Sequence, residues 1–174
     1  MCGRDVILVD FSYKRAVLED MARTANTITV IDHHKSAAED LAIWIRDKKT
    51  MRMPETAFAE LCAFNGELPI RAQFDMDHSG AMLTWLHYFD EPAPPLLRHI
   101  EDRDLWRFNL EGTREIQAAL FSYPYEFETW IYLIQGDEDV LEQLYREGAA
   151  IERKHHKDVA ELVGVCKRHM IIAG

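Results

Sequence analysis

Acidic and imidazole side chains follow two short apolar runs near the start of the chain. Asp10 directly follows the first run, and Asp32, His33 and His34 directly follow the second. If the runs are neighbouring parallel strands, their ends lie about 5 Å apart. Ligands of open α/β sheets bind outside the carboxyl ends of the strands, and carboxylate with imidazole suits Mn²⁺, Fe²⁺ or Zn²⁺. The spacing therefore indicates a metal site, with a turn residue beside a polar loop as the alternative.

The elements that would position these residues form a β-α-β unit. Residues 6–9 and 27–31 are continuous apolar runs rich in β-branched side chains, which is typical of buried parallel strands. Apolar positions at helical spacing predict a helix over 14–24 between them, and a right-handed crossover is expected. A second helix is predicted over 37–48.

The rest of the chain is predicted to be mainly helical. Ser79 is the expected N-cap of one helix, and Asp137 is the expected cap of the last one. The remaining predicted elements are a helix over 57–64, a strand over 69–76, helices over 80–89 and 95–101, short helices from 113 and over 126–134, and a helix over 138–170. We therefore expect an α/β fold, a short parallel sheet with flanking helices, in residues 1–110 and a helical extension in residues 111–174.

Four short segments occur in an order that resembles a known family. They are Val9-Asp10-Phe11-Ser12-Tyr13, Val30-Ile31-Asp32-His33-His34, Asp77-His78-Ser79-Gly80-Ala81 and Glu101-Asp102-Arg103-Asp104-Leu105-Trp106. Together they resemble motifs of the DHH phosphoesterases, over residues 5–130. The resemblance implies a DHH-like fold and a hydrolase that uses two metal ions, Mn²⁺ or another divalent cation such as Mg²⁺.

The resemblance also implies a role for each matched residue. Asp10 would contact both ions, and His33 and Asp102 would complete the ligands of one. His34 would face the substrate phosphate, and Asp32 would support a ligand histidine. Two cations roughly 3.5–4 Å apart fit a shared carboxylate. Asp104 is an alternative to Asp102, because one residue separates them.

Three further residues are candidates for contact with the substrate. Helix N-termini favour anions, so His78 and Ser79 would reach a phosphate, with helix capping alone as the alternative. Arg103 would contact a phosphate or form a surface salt bridge. The implied substrates are phosphoesters, namely short oligonucleotides or nucleotide-like phosphates.

Two features of the family have no counterpart in this sequence. A His-x-Asp-x-Asp motif is expected upstream of Asp10, but residues 1–9 contain no histidine, and no glycine-rich GGGH-type loop follows. We therefore expect a fragment of such an enzyme, with an exposed sheet edge that favours a homo-oligomer. The alternative is a non-catalytic binding module that keeps the fold without the chemistry.

Composition excludes several classes of protein. With 20 Lys+Arg against 30 Asp+Glu, the net charge of −10 disfavours nucleic-acid binding through a broad basic surface. An apolar content of 48% with only 8 Gly and 6 Pro excludes a disordered chain. The 3 cysteines are few, odd in number and far apart, which argues against a disulfide framework and favours a reducing compartment. They lack CxxC spacing, which disfavours a zinc site of that type. No window approaches the roughly 18 apolar residues of a membrane span, so a cytoplasmic protein without a membrane partner is expected.

Two other segments have ordinary interpretations. The aromatic stretch 121–132, which includes Trp130, could stack on bases, but packing of a short helix is favoured. His155 and His156 are adjacent on a predicted helix and do not face each other. A solvated surface is therefore favoured there over a metal site.

Overall fold

A computed structural model describes residues 3–166 of the chain. Within that range the fold is mixed α/β, with a three-stranded parallel sheet and a long C-terminal helix. The α/β prediction is confirmed at this level. By its internal contacts the chain divides into two units, Met1–Ala93 and Pro94–Gly174. The boundary predicted after residue 110 falls inside the second of these units.

The first unit is built on a parallel sheet with the order β1 (Asp5–Val9), β2 (Thr27–Asp32) and β3 (Ile70–Phe74). β2 is buried along its whole length, as expected for a central strand covered on both faces. β1 is an edge strand, and its Ile7 and Val9 side chains are each 45% exposed. Self-association through this edge stays a prediction.

Two apolar clusters cover the sheet. The side chains of Ile28 and Val30 point to one face of the sheet, and the side chain of Ile31 points to the other face. The helices of this unit are α1 (Arg15–Ala22), α2 (Lys35–Asp40), α3 (Lys48–Met51), α4 (Glu55–Asn65) and α5 (Gly80–Tyr88). One cluster contains Leu18, Ala22, Ile28, Val30, Leu41, Trp44, Ile70 and Ala72, and the other contains Ile31, Met51 and Leu83.

The single helix predicted over 37–48 is wrong. α2 ends at Asp40 and a 3-10 turn covers Ala42–Trp44. Ile45 is extended and forms a parallel β-bridge with Ala72 of β3. The break lets the buried Trp44 side chain enter the core beneath the sheet. α3 then begins after Asp47, whose carboxylate accepts a hydrogen bond from Thr50 N at 3.0 Å. The helix suggested by the spacing of apolar residues is therefore interrupted where Trp44 is buried.

The second unit is helical in its described part. Its helices are α6 (Pro95–Asp104), α7 (Thr113–Leu120), α8 (Phe127–Gln135) and α9 (Glu138–Cys166). Asp137 Oδ1 accepts a hydrogen bond from Asp139 N at 3.1 Å and so caps α9, as predicted. Residues 167–170 of the predicted last helix lie outside the described residues. The core contains Leu96, Ile116, Ala119, Leu120, Leu133 and Leu144.

Trp130 of α8 packs against this core, which agrees with the packing interpretation of the aromatic stretch. α7 and α9 approach closely at Gly148, where a Cβ would lie 3.0 Å from Glu115 Cα and closer still to its carbonyl. Among the helices that the structure describes, none is long and apolar enough to cross a membrane.

Candidate metal centre

Four potential metal ligands meet at the carboxyl end of the sheet in the first unit. Asp10 follows β1, Asp32 ends β2, and His33 and His34 come next. One ligand atom from each lies within 4.8 Å of the others. Because β1 and β2 are paired in parallel register, the two segments leave the sheet side by side. The predicted convergence of these residues is therefore observed.

Asp10 adopts an unusual backbone conformation. Its φ is 56°, in the left-handed region that non-glycine residues seldom occupy. Its N–H still donates to Ile31 O at 2.9 Å, so the residue is tied to β2 while its backbone turns out of the strand. Its carboxylate lies 3.2 Å from His33 Nε2, measured to Oδ1. Residues in sparsely populated backbone regions cluster at functional sites, and Asp10 is such a residue.

Gly80 closes one side of the Asp10 carboxylate. A Cβ at position 80 would lie 2.6 Å from Asp10 Cγ, well inside van der Waals contact. Gly80 was not among the predicted site residues. The sequence feature that could have indicated this contact is the position of Gly80 in the first turn of α5, because glycine is a poor helix former.

Asp32 orients the two histidines through hydrogen bonds to its carboxylate. Its side chain is buried, and Oδ1 accepts hydrogen bonds from His33 N at 2.8 Å and His34 N at 3.4 Å. The same oxygen lies 2.6 Å from His34 Nδ1. Because a carboxylate only accepts, Nδ1 carries the proton, and Nε2 is directed away from Asp32. Carboxylates hold metal-ligating histidines in this way, so Asp32 supports His34.

A cleft of about 230 Å³ opens beside this cluster. Phe11 and Tyr13 form an edge-to-face pair at its side, with ring centroids 4.9 Å apart. Lys14 adds a positive charge, and Ser12 and Ser36 add hydroxyl groups. The lining residues are Asp10, Phe11, Ser12, Tyr13, Lys14, Asp32, His34, Ser36, Ala37 and Asp40. The cleft thus combines candidate metal ligands with groups that suit an anionic ligand.

His78 and Ser79 precede α5 in the first unit. Ser79 is buried, and its Oγ accepts a hydrogen bond from Met82 N at 3.1 Å, so the predicted N-cap is confirmed. His78 is half-buried in the preceding turn. A contact of either residue with substrate stays a prediction.

Asp102 lies in α6, in the second unit, and is 5% exposed. Its Oδ1 accepts from Asn109 N at 2.8 Å, and its Oδ2 accepts from Leu110 N at 3.1 Å and from Thr113 Oγ at 2.7 Å. Burial opposes ionisation, but these hydrogen bonds outweigh it and lower the pKa of Asp102. The carboxylate therefore ties the loop after α6 to α7. Its role as a metal ligand, and that of its alternative Asp104, stay predictions.

Arg103 and the paired histidines of α9 are also placed by the structure. The Arg103 guanidinium lies over the Phe121 ring, with Cζ 4.8 Å from the centroid. His156 Nε2 lies 3.3 Å from Glu152 Oε2, one turn away on an exposed face of α9. This agrees with the solvated-surface interpretation of His155 and His156.

No family model and no solved structure matches this chain. An uncharacterized protein of Acanthamoeba polyphaga mimivirus is 32% identical over 129 residues, which is 74% of this chain and 25% of that protein. The chain therefore spans about a quarter of the length of this curated relative.

Proposed function

We propose that this chain is a metal-dependent phosphoesterase of the DHH type that acts on short oligonucleotides or nucleotide-like phosphates. The observation that carries the proposal is the cluster of Asp10, Asp32, His33 and His34, with ligand atoms within 4.8 Å at the ends of adjacent parallel strands. Two carboxylates and two imidazoles in one such group form a donor set that Mn²⁺ accepts. The DHH resemblance, rather than the cluster itself, suggests Mn²⁺ over Zn²⁺ or Fe²⁺.

The donor set fits a divalent cation on two counts. Asp10 and His33 face each other at 3.2 Å, so one ion can take a ligand atom from each. Asp32 fixes the ring of His34 at 2.6 Å, which lowers the entropic cost of using that ring in a site. Divalent ions at phosphoesterase sites polarise phosphoryl oxygens and neutralise their charge.

The chain's own residues would then bind and orient the phosphoester. His34, held by Asp32 through Nδ1, would present Nε2 to the substrate phosphate. Lys14, exposed at the cleft, would attract the same anion. Phe11 and Tyr13 offer ring faces beside the phosphate position, which suits a base or sugar. A cleft of about 230 Å³ favours a small phosphoester over a folded nucleic acid.

The test is hydrolysis of a 5′-phosphorylated dinucleotide by the full chain, with and without Mn²⁺. We expect Mn²⁺-dependent release of mononucleotide that His33→Ala abolishes. His156→Ala is the matched control, because His156 lies on the exposed face of α9, and it should leave the rate unchanged. Full activity in a folded His33→Ala variant would sink the assignment. Mn²⁺ binding without turnover in the wild type would instead support the non-catalytic binding module.

A further inference from the structure

A second cleft, of about 280 Å³, lies within the helical unit. It is formed by α6, the loop that follows it, α7 and α9. Arginine and aromatic side chains make up much of its lining, which includes Arg103, Trp106, Arg114, Gln117 and Phe121. This composition differs from that of an apolar core and suits a ligand with a ring and a negative charge.

Trp106 is held in an exposed and strained position on this cleft. It is 74% exposed, and its φ of 56° is an outlier for a bulky residue. Phe108 has a φ of 50° and meets Trp106 edge to face, with ring centroids 5.1 Å apart. The Asp102 backbone and carboxylate fix this loop, for example by accepting from Arg107 N at 2.8 Å and Asn109 N at 2.8 Å. Strain of this kind is found at ligand clamps.

Two guanidinium groups are stacked on rings at the same cleft. Arg114 Cζ lies 3.8 Å from the Phe108 ring centroid, and Arg103 Cζ lies 4.8 Å from that of Phe121. Across residues 3–166, neither arginine forms an ion pair with a carboxylate. A stacked guanidinium keeps its N–H groups in a planar fork that matches a phosphate. Glu152 and the exposed His155 also line the cleft, so two arginines face one carboxylate there, in a chain of net charge −10.

Gln117 supplies a polar group that lacks a partner. It is 7% exposed and lines the cleft, and its Nε2 has no hydrogen-bond acceptor in the described part of the chain. A buried donor without an acceptor is costly. Because Gln117 lines the cleft, rotation of its side chain would bring this buried donor to an acceptor on a ligand there.

We propose that this cleft binds one nucleotide unit. The base stacks on Trp106, the Gln117 amide donates to an acceptor on the base edge, and Arg103 and Arg114 hold the phosphate. Aromatic platforms flanked by arginine bind single-stranded nucleotides in this manner with little base preference. The ligand is a free mononucleotide or the terminal nucleotide of a single strand, which share this chemistry. The site requires no metal and does not depend on the function proposed above.

Binding of adenosine 5′-monophosphate to the full chain, with EDTA present, tests this site by calorimetry and tryptophan fluorescence. We expect saturable binding at one site with quenching of fluorescence. Trp106→Leu should weaken the affinity by about 5- to 150-fold, the range for loss of one base stack. Arg114→Ala should weaken it by about tenfold or more, the range for a charged hydrogen bond.

Controls match each substitution by type and exposure. Phe127→Leu removes an exposed aromatic residue at the start of α8, where Phe127 is 78% exposed, and Arg146→Ala removes an arginine paired with Glu142. Both should bind like the wild type. Circular dichroism checks that every variant is folded, and Gln117→Met gives an independent variant that keeps the side-chain volume. No binding by the folded wild type, or equal binding by Trp106→Leu and Phe127→Leu, would overturn the proposal.

Three further ligands identify what the cleft recognises. Adenosine should bind more weakly than the monophosphate and should be insensitive to Arg114→Ala. Inorganic phosphate that binds as tightly as the nucleotide would overturn the proposal in favour of a plain anion site. A dinucleotide that binds more tightly than the mononucleotide supports a strand terminus as the ligand, and equal affinity supports a free nucleotide.

Discussion

Gly80 lies against the side chain of Asp10, so closely that a Cβ on residue 80 would sit 2.6 Å from Asp10 Cγ. The start of α5 therefore forms a wall for the carboxylate that follows β1. Asp10 is also constrained by its φ of 56° and by the hydrogen bond from its N–H to Ile31 O. Together these contacts hold the carboxylate beside His33 before any ligand binds.

Gly80→Ala should weaken Mn²⁺ binding. The added methyl group must displace the Asp10 side chain from its position beside His33, and displacement of groups that support a metal ligand costs about 10- to 100-fold in affinity. Calorimetric titration of the folded variant with Mn²⁺ measures the effect. Gly164→Ala is the control, since a Cβ there meets nothing within 4 Å. If Gly80→Ala binds Mn²⁺ like the wild type, Asp10 does not ligate the ion.

Asp32→Asn should also reduce Mn²⁺ affinity while leaving the fold intact. The amide oxygen can still accept from His33 N and His34 N, but the neutral amide removes a negative charge from a group whose candidate ligand atoms lie within 4.8 Å of one another. We expect a loss of about 10- to 100-fold. The comparison is Asp90→Asn, which removes an exposed carboxylate of the same unit that is paired with Arg52. Equal affinities in the two variants would show that Asp32 does not support the site.

The sequence predicted the parallel sheet and the convergence of Asp and His side chains at its edge, because short β-branched runs that end in polar residues are typical of parallel strands. Asp10 and His33 follow from that pattern alone. The pattern could not reveal the contact between Gly80 and Asp10, since these residues are distant in sequence and meet only through packing of α5. It also missed the break after α2, where burial of Trp44 decides the backbone path. The hydrogen bonds of Asp102 depend on the shape of the loop after α6, and an irregular loop has no periodic sequence pattern that would predict them.

Thr113→Val should destabilise the helical unit and change its response to acid. Thr113 Oγ donates to Asp102 Oδ2 at 2.7 Å and contributes to the lowered pKa of that carboxyl. A hydrogen bond to a charged group contributes about 1.5–3 kcal/mol to the free energy of unfolding. Since the folded-state pKa lies below the unfolded value of about 3.9, this stabilisation is present above about pH 4 and is lost as the pH falls through the folded pKa.

Urea unfolding at pH 7 and at pH 3 measures both effects. The difference between wild type and Thr113→Val should be larger at pH 7 than at pH 3. Thr56→Val, at an exposed position of α4, is the control and should show no pH-dependent difference. A Thr113→Val deficit that is the same at both pH values would contradict the role assigned to Asp102.

Gly148→Ala should separate α7 from α9. The new Cβ would meet the Glu115 carbonyl, which is backbone and cannot rotate away. Overpacking costs about 1–3 kcal/mol, and we expect the upper part of that range. Gly164→Ala on the same helix has open space and should be neutral or raise stability by up to about 1 kcal/mol. Thermal unfolding by circular dichroism compares the pair, and equal melting temperatures would contradict the observed helix packing.

Titration of the full chain with Mn²⁺, followed by the electron paramagnetic resonance signal of the free ion, tests the metal centre most directly. We expect the wild type to remove Mn²⁺ from solution. Asp10→Ala and His33→Ala should each bind at least about tenfold more weakly, whereas His156→Ala should match the wild type. Equal Mn²⁺ binding by the wild type and a folded Asp10→Ala, His33→Ala double variant would contradict the account.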